Sequence, residues 1–126
     1  VALRSAIGML DTWSWSLPVW GSWTSADFAA NPEASHYLRS RQLGWDVTDF
    51  GSGHFAEQGL VLFCLRNGIL GVDGERSYAE KLLFIQEGQL TPAHLHKAKT
   101  SLTAPVAISS SNSALRMRQA TRSNPT

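Results

Sequence analysis

With 126 residues, the chain is long enough for one domain with a modest core and too short for two. Hydrophobic residues make up 43% and charged residues 17%, the balance of a globular protein rather than a disordered or fibrous one. A net charge of +1 provides no field that would gather nucleic acid or an anionic membrane, so neither is expected as a partner.

One cysteine, Cys64, excludes an internal disulfide, and its place in the apolar run Gly59 to Leu65 reads as a buried, inert thiol. No apolar stretch approaches the ~20 residues that span a bilayer. The first ten residues, with Arg4 and Gly8 among them, show no leader-cleavage pattern, and the chain starts at Val1 as a fragment or trimmed product would. The expected compartment is the cytoplasm.

In chain order, Leu3 to Leu10 has helical spacing, with Leu3, Ile7 and Leu10 on one face. A tryptophan-rich irregular stretch follows, carrying Trp13, Trp15, Trp20 and Trp23. Aromatic rings of this kind stack on sugars, but four clustered tryptophans fit a hydrophobic plug or a homodimer contact better. Thr24 or Ser25 offers an N-cap, with Asp27 in the first turn of a short helix ending near Asn31. Pro32 suits the first position of a second helix, Glu33 to about Gln42, closed by Gly44. His36 on that helix is expected to face solvent, and His54 to sit in a loop.

After Gly44 the texture becomes β. Trp45 to Thr48 alternates, Gly59 to Leu65 is an apolar strand, and Asn67-Gly68 marks a turn. Tyr78 to Gln86 is a second strong strand, Glu87-Gly88 a tight turn, and Gln89 to His96 a third strand interrupted by Pro92. Helices first and strands after imply α+β, or a β-sandwich or barrel with an N-terminal helical cap. All twelve aromatic residues lie between Trp13 and Phe84. From Thr100 to Thr126 there are ten Ser or Thr, three Arg, no acid and no aromatic, so residues 101–126 are expected to form a disordered tail. Residues 1–100 then form the folded unit.

The stretch that carries chemistry is Thr91-Pro92-Ala93-His94-Leu95-His96. On an extended chain, side chains two apart share a face, so His94 and His96 present two imidazoles to one metal ion. Two solvated histidines at a strand end are the other reading of the same spacing.

Several ordered blocks resemble the D-lyxose ketol-isomerase family of cupin-fold sugar isomerases. They are Gly44-Trp45-Asp46-Val47-Thr48-Asp49-Phe50-Gly51, Gly59-Leu60-Val61-Leu62-Phe63 and Leu65-Arg66-Asn67-Gly68. Tyr78-Ala79-Glu80-Lys81, Glu87-Gly88-Gln89 and Thr91-Pro92-x-His94-x-His96 complete the set, and Leu17-Pro18 and Trp20 to Phe28 are similar to the family's N-terminal segment. The resemblance implies a mainly β fold: a cupin or jelly-roll barrel, incomplete in these residues, with an N-terminal helical segment. It implies interconversion of an aldose and a ketose, such as D-lyxose with D-xylulose or D-mannose with D-fructose. The cofactor it implies is a divalent metal, Mn²⁺ foremost with Zn²⁺ or Co²⁺ as alternatives, held by His94 and His96. Lys81 matches the family's lysine, where it would bind substrate or stabilise a developing oxyanion; a solvated lysine pairing with Glu80 or Glu87 is the alternative. The implied partner is a monosaccharide, with room for a homodimer.

The match has an edge. The family's carboxylate ligand follows the second histidine by about five residues, where this chain has Ser101, and no Asp or Glu occurs after Glu87. No histidine follows His96. Loss of resemblance near Thr100 reads as a truncated, frameshifted or diverged C-terminus, with activity impaired. A non-catalytic cupin module that binds sugar or metal, or a pseudo-enzyme fragment, is the competing reading.

Overall fold

A computed structural model describes residues 2–12, 14–69, 71–93, 99–108 and 112–121. Three helices precede five strands: α1 (Ala2–Thr12), α2 (Ser25–Ala30), α3 (Pro32–Ser40), β1 (Gly44–Thr48), β2 (Leu60–Asn67), β3 (Tyr78–Gln86), β4 (Lys99–Ile108) and β5 (Asn112–Thr121), with a 3₁₀ turn at Val19–Ser22. The strands form one antiparallel sheet in the order β1-β2-β3-β5-β4, open at β1 and β4. The architecture is therefore mainly β with an N-terminal helical segment, and among the described residues the sheet does not close on itself.

One face of the sheet is the foundation of the core. Val61 and Phe63 of β2 stand opposite Phe84 and Leu82 of β3, and all four are buried with Ala6, Met9 and Leu10 of α1. Phe63 is 0% exposed. Trp20 stacks on it at 5.1 Å between ring centres, and Trp45 meets it edge-on at 5.0 Å. The Trp45 indole Nε1 donates to the Gly21 carbonyl at 2.9 Å, which satisfies the polar end of an otherwise apolar ring. Trp15 packs against the same cluster. These rings are core, as the plug reading expected; Trp13 lies outside the described residues.

Of the expected α1 stripe, Leu10 is buried as its spacing predicts, but Ala6 and Met9 take the places expected of Leu3 and Ile7. Leu3 and Ile7 are 38% and 43% exposed, while Ala6, Met9 and Leu10 are buried. Alanine at the contact lets the helix backbone approach the sheet more closely than Ile7 would allow. Helix α2 opens with a capping box: the Thr24 hydroxyl accepts from the Asp27 amide and the Asp27 carboxylate accepts from the Thr24 amide. The Thr24 amide and hydroxyl, both donating to the Asp27 carboxylate, hold it below its usual range.

Helix α3 begins at Pro32 as expected but ends at Ser40, two residues before the expected Gln42. Gln42 itself adopts φ +55°, and the Leu43 amide donates back to the Leu38 carbonyl at 2.9 Å. That is a Schellman closure in which Gln42 does the work expected of Gly44. His36 is exposed on α3, and His54 is exposed in the loop before β2.

The loop from β2 to β3 is tied to α3. Arg41 pairs through two nitrogens with the Glu75 carboxylate, its Nε reaching Oε2 at 3.3 Å, while its guanidinium lies 3.8 Å over the Tyr37 ring. The Arg41 bond holds the Glu75 carboxyl below its usual range. The Asn67 amide donates to the Arg41 carbonyl at 2.9 Å. A Cβ at Gly68 would overlap the Arg76 carbonyl, which explains why the Asn67-Gly68 turn requires glycine.

Two further expectations change. Residues 89–93 carry no regular secondary structure, where a strand from Gln89 was expected; Pro92 has no amide to give a ladder and the Gln89 side chain takes the local backbone bonds instead. Second, residues 101–108 and 112–121 run as strands, where a disordered tail was expected. A composition poor in large apolar residues argues against a core, but β3 offers a full edge of backbone donors and acceptors, and β5 pairs with it from Tyr78–Ala120 to Gln86–Asn112.

Candidate functional site

Strand β3 presents adjacent residues to opposite sides. Leu82 and Phe84 enter the helix-covered core, and Glu80 shares their parity. Lys81 therefore belongs to the other face, with Leu83 and Ile85 along the strand and Cys64 directly across on β2. In the next strand its register partner is Met117 of β5. Lys81 is half-buried. Among the described residues, its neighbours on that face are Ala79, Cys64 and Leu83, all apolar, which strengthens a hydrogen bond it makes there.

The neighbouring acid is committed elsewhere. A bulge between Cys64 and Arg66 brings Arg66 opposite Glu80, and Arg66 Nη1 meets Glu80 Oε2 at 2.6 Å. Glu80 is 7% exposed, so an ion pair with hydrogen-bond geometry is what allows its charge to be buried. The alternative in which Lys81 pairs with Glu80 loses its support, since consecutive strand residues point to opposite faces.

The segment leading to the two histidines is anchored before it reaches them. Gly88, at φ +83°, closes the turn after β3. Gln89 is 8% exposed; its Oε1 accepts from the Gln86 amide and its Nε2 donates to the Phe55 carbonyl, each at 2.8 Å. The Leu90 amide donates to the Glu57 carbonyl at 2.8 Å, and Gln86 Nε2 reaches Ser5 Oγ of α1 at 2.6 Å. One glutamine thus clamps the loop before β2 to the turn after β3. Sequence reasoning matched Gln89 only as part of a motif; its burial beside a glycine turn is the signal that marks it as structural.

His94 and His96 lie outside the described residues. Among the described residues, no three His, Cys, Asp or Glu side chains gather as a metal site. No described helix is long and apolar enough to cross a membrane.

A family model described as D-lyxose isomerase matches residues 1–116, past the point near Thr100 where the motif blocks run out. A protein of Escherichia coli O157:H7 described as D-lyxose/D-mannose isomerase is 44% identical over 78 residues, which is 61% of this chain and 33% of that protein. A Serratia proteamaculans protein of the same description is 51% identical over 59 residues, 46% of this chain and 26% of that protein. The chain's matches thus span about a third or less of these relatives.

Proposed function

The chain belongs to the D-lyxose isomerase family, and from that premise we propose that it serves aldose–ketose isomerisation, with D-lyxose or D-mannose as the aldose and the cytoplasm as its compartment. The observation that carries the reading is the side on which Lys81 stands: a half-buried cation on the sheet face that the helical core does not cover. Aldose–ketose interconversion moves a proton between C2 and C1 and passes through an enediol whose oxygen bears developing negative charge. The Lys81 ammonium, held on an apolar face, donates to that oxygen and orients the sugar carbonyl. Half-burial of the lysine excludes part of the water that would otherwise compete for it.

The proposed cofactor is Mn²⁺, with Zn²⁺ or Co²⁺ as alternatives, taken by His94 and His96. Bound, such an ion polarises a sugar carbonyl. Two imidazoles are fewer than the three protein ligands of a catalytic site, and the described residues add no donor cluster. His94 and His96 alone do not complete such a site.

A second reading, a non-catalytic cupin module that binds sugar or metal, draws on the absence of a metal-donor cluster among the described residues. One experiment separates them. The protein is incubated with Mn²⁺ and D-lyxose or D-mannose, ketose formation is followed, and sugar binding is measured by calorimetry. Slow ketose formation that disappears in Lys81→Ala supports the isomerase. Saturable sugar binding without ketose supports the binding module. Neither binding nor turnover sinks both.

A further inference from the structure

A second concavity lies on the helical side of the sheet, away from Lys81. It has a volume of about 510 Å³, within the range of small-molecule sites. Trp20, Trp23 and Tyr37 bring three aromatic rings to it, and Arg66, Asn67 and Arg76 bring its polar groups. No carboxylate is among the described residues that line it.

The charges around the cleft leave one cation in surplus. Glu80 pairs with Arg66, and Glu75 hydrogen-bonds Arg41 while also feeling the charge of Arg76. Arg76, exposed at the rim, hydrogen-bonds to the hydroxyls of Tyr37 and Tyr78, which are neutral partners. With three arginines, Arg41, Arg66 and Arg76, set against two glutamates, Glu75 and Glu80, the cleft keeps a net positive charge, and the planar fork of Arg76 at its rim can receive a bidentate oxyanion.

The rings favour one kind of body for that anion. Trp20 has one face against Phe63, nearly parallel at 21°, and Trp23 meets Phe28 edge-on at 84°. The Tyr37 ring has Arg41 over one face. Trp20 and Tyr37 each have one face taken, which suits one-sided stacking on the CH face of a sugar more than the sandwiching of a purine. Asn67 and Arg66 stand beside the rings for hydroxyl groups.

We propose that this cleft binds a phosphorylated monosaccharide, its phosphate on Arg76 and its ring on the aromatic wall. The site is separate from the Lys81 face and does not depend on the chemistry proposed there.

Mannose 6-phosphate is the probe. It is titrated into the protein by calorimetry and by tryptophan fluorescence, for which Trp20 and Trp23 are built-in reporters. Saturable binding is expected, weakened roughly tenfold or more in Arg76→Ala, since a hydrogen bond to a charged group is lost. Arg76→Lys, which keeps the charge but not the planar fork, should fall between the two, and near-ultraviolet circular dichroism checks that both variants hold their aromatic packing. Lys81→Ala should bind as the unmodified protein does. D-mannose and inorganic phosphate should each bind about tenfold or more weaker than the combined ligand. Absence of saturable binding, equal affinity in a folded Arg76→Ala variant, or AMP or inorganic phosphate binding as tightly as mannose 6-phosphate would each overturn the assignment.

Discussion

The two faces of the β2–β3 sheet follow different rules. On the helix-covered face, Val61, Phe63, Leu82 and Phe84 pack against Ala6, Met9 and Leu10, and the one buried acid, Glu80, is matched by Arg66. On the other face Lys81 stands half-buried across from Cys64. Where apolar burial decides position, each side chain has one place it can go. On the open face, apolar burial does not by itself account for a lysine beside Ala79, Cys64 and Leu83. The difference teaches that consecutive residues of the Tyr-Ala-Glu-Lys block serve separate ends: Glu80 in the fold, and Lys81, on the reading proposed above, in chemistry.

That contrast can be broken by substitution. Phe63→Ala should have the largest effect, about 3–5 kcal/mol of stability, because it removes a fully buried ring on which Trp20 and Trp45 rest. Chemical denaturation measures it; a loss below about 1 kcal/mol would show that the helical face is not the core. Gln89→Ala should cost about 1–3 kcal/mol, since the Gln86 amide and the Phe55 carbonyl each lose a buried partner. Faster hydrogen exchange at the Gln86 and Leu90 amides would locate the damage at the clamp, and unchanged exchange there would count against it.

Lys81→Ala sharpens the comparison from the other side. Its expected effect on stability is about 1 kcal/mol or less, far smaller than that of Phe63→Ala, with the loss falling on sugar binding or turnover instead. A large drop in melting temperature would make Lys81 a structural residue.

The smallest effect concerns acid. Glu75 has its folded pKa depressed by Arg41, so its contribution is present above the ordinary carboxylate value of 4.5 and is lost as pH falls below that through the lower folded value. Loosening of the β2–β3 loop is expected in that window and should be missing in Glu75→Gln, where the loop starts out untethered. Amide exchange at Ile69, whose N–H donates to Glu75 at 3.4 Å, follows it; the same acid response in both proteins would remove Glu75 from the account.

Much of the fold was legible because its signals are local. Strand β3 runs over the residues its pattern predicted, Tyr78 to Gln86, since alternation is a property of the chain itself. The capping box at Thr24 and Asp27 and the start of α3 at Pro32 are local in the same sense. The expected α1 stripe held only at Leu10, because Ala6 and Met9 rather than Leu3 and Ile7 complete the face against the sheet. The strands after Lys99 were missed because their composition holds little apolar surface; β5 takes the edge of β3, far away in sequence, and β4 then pairs with β5.

What the sequence determined by itself was the order of helices then strands, the turn glycines and the blocks that mark the family, all of which depend on residues within a few positions of one another. Only the tertiary structure decided which cation Glu80 would meet, because a bulge in β2 brings Arg66 opposite it. It alone decided that Gln89 joins two loops 34 residues apart, since a hydrogen bond from a buried amide depends on where the Phe55 carbonyl lies in space and not on any spacing in the chain.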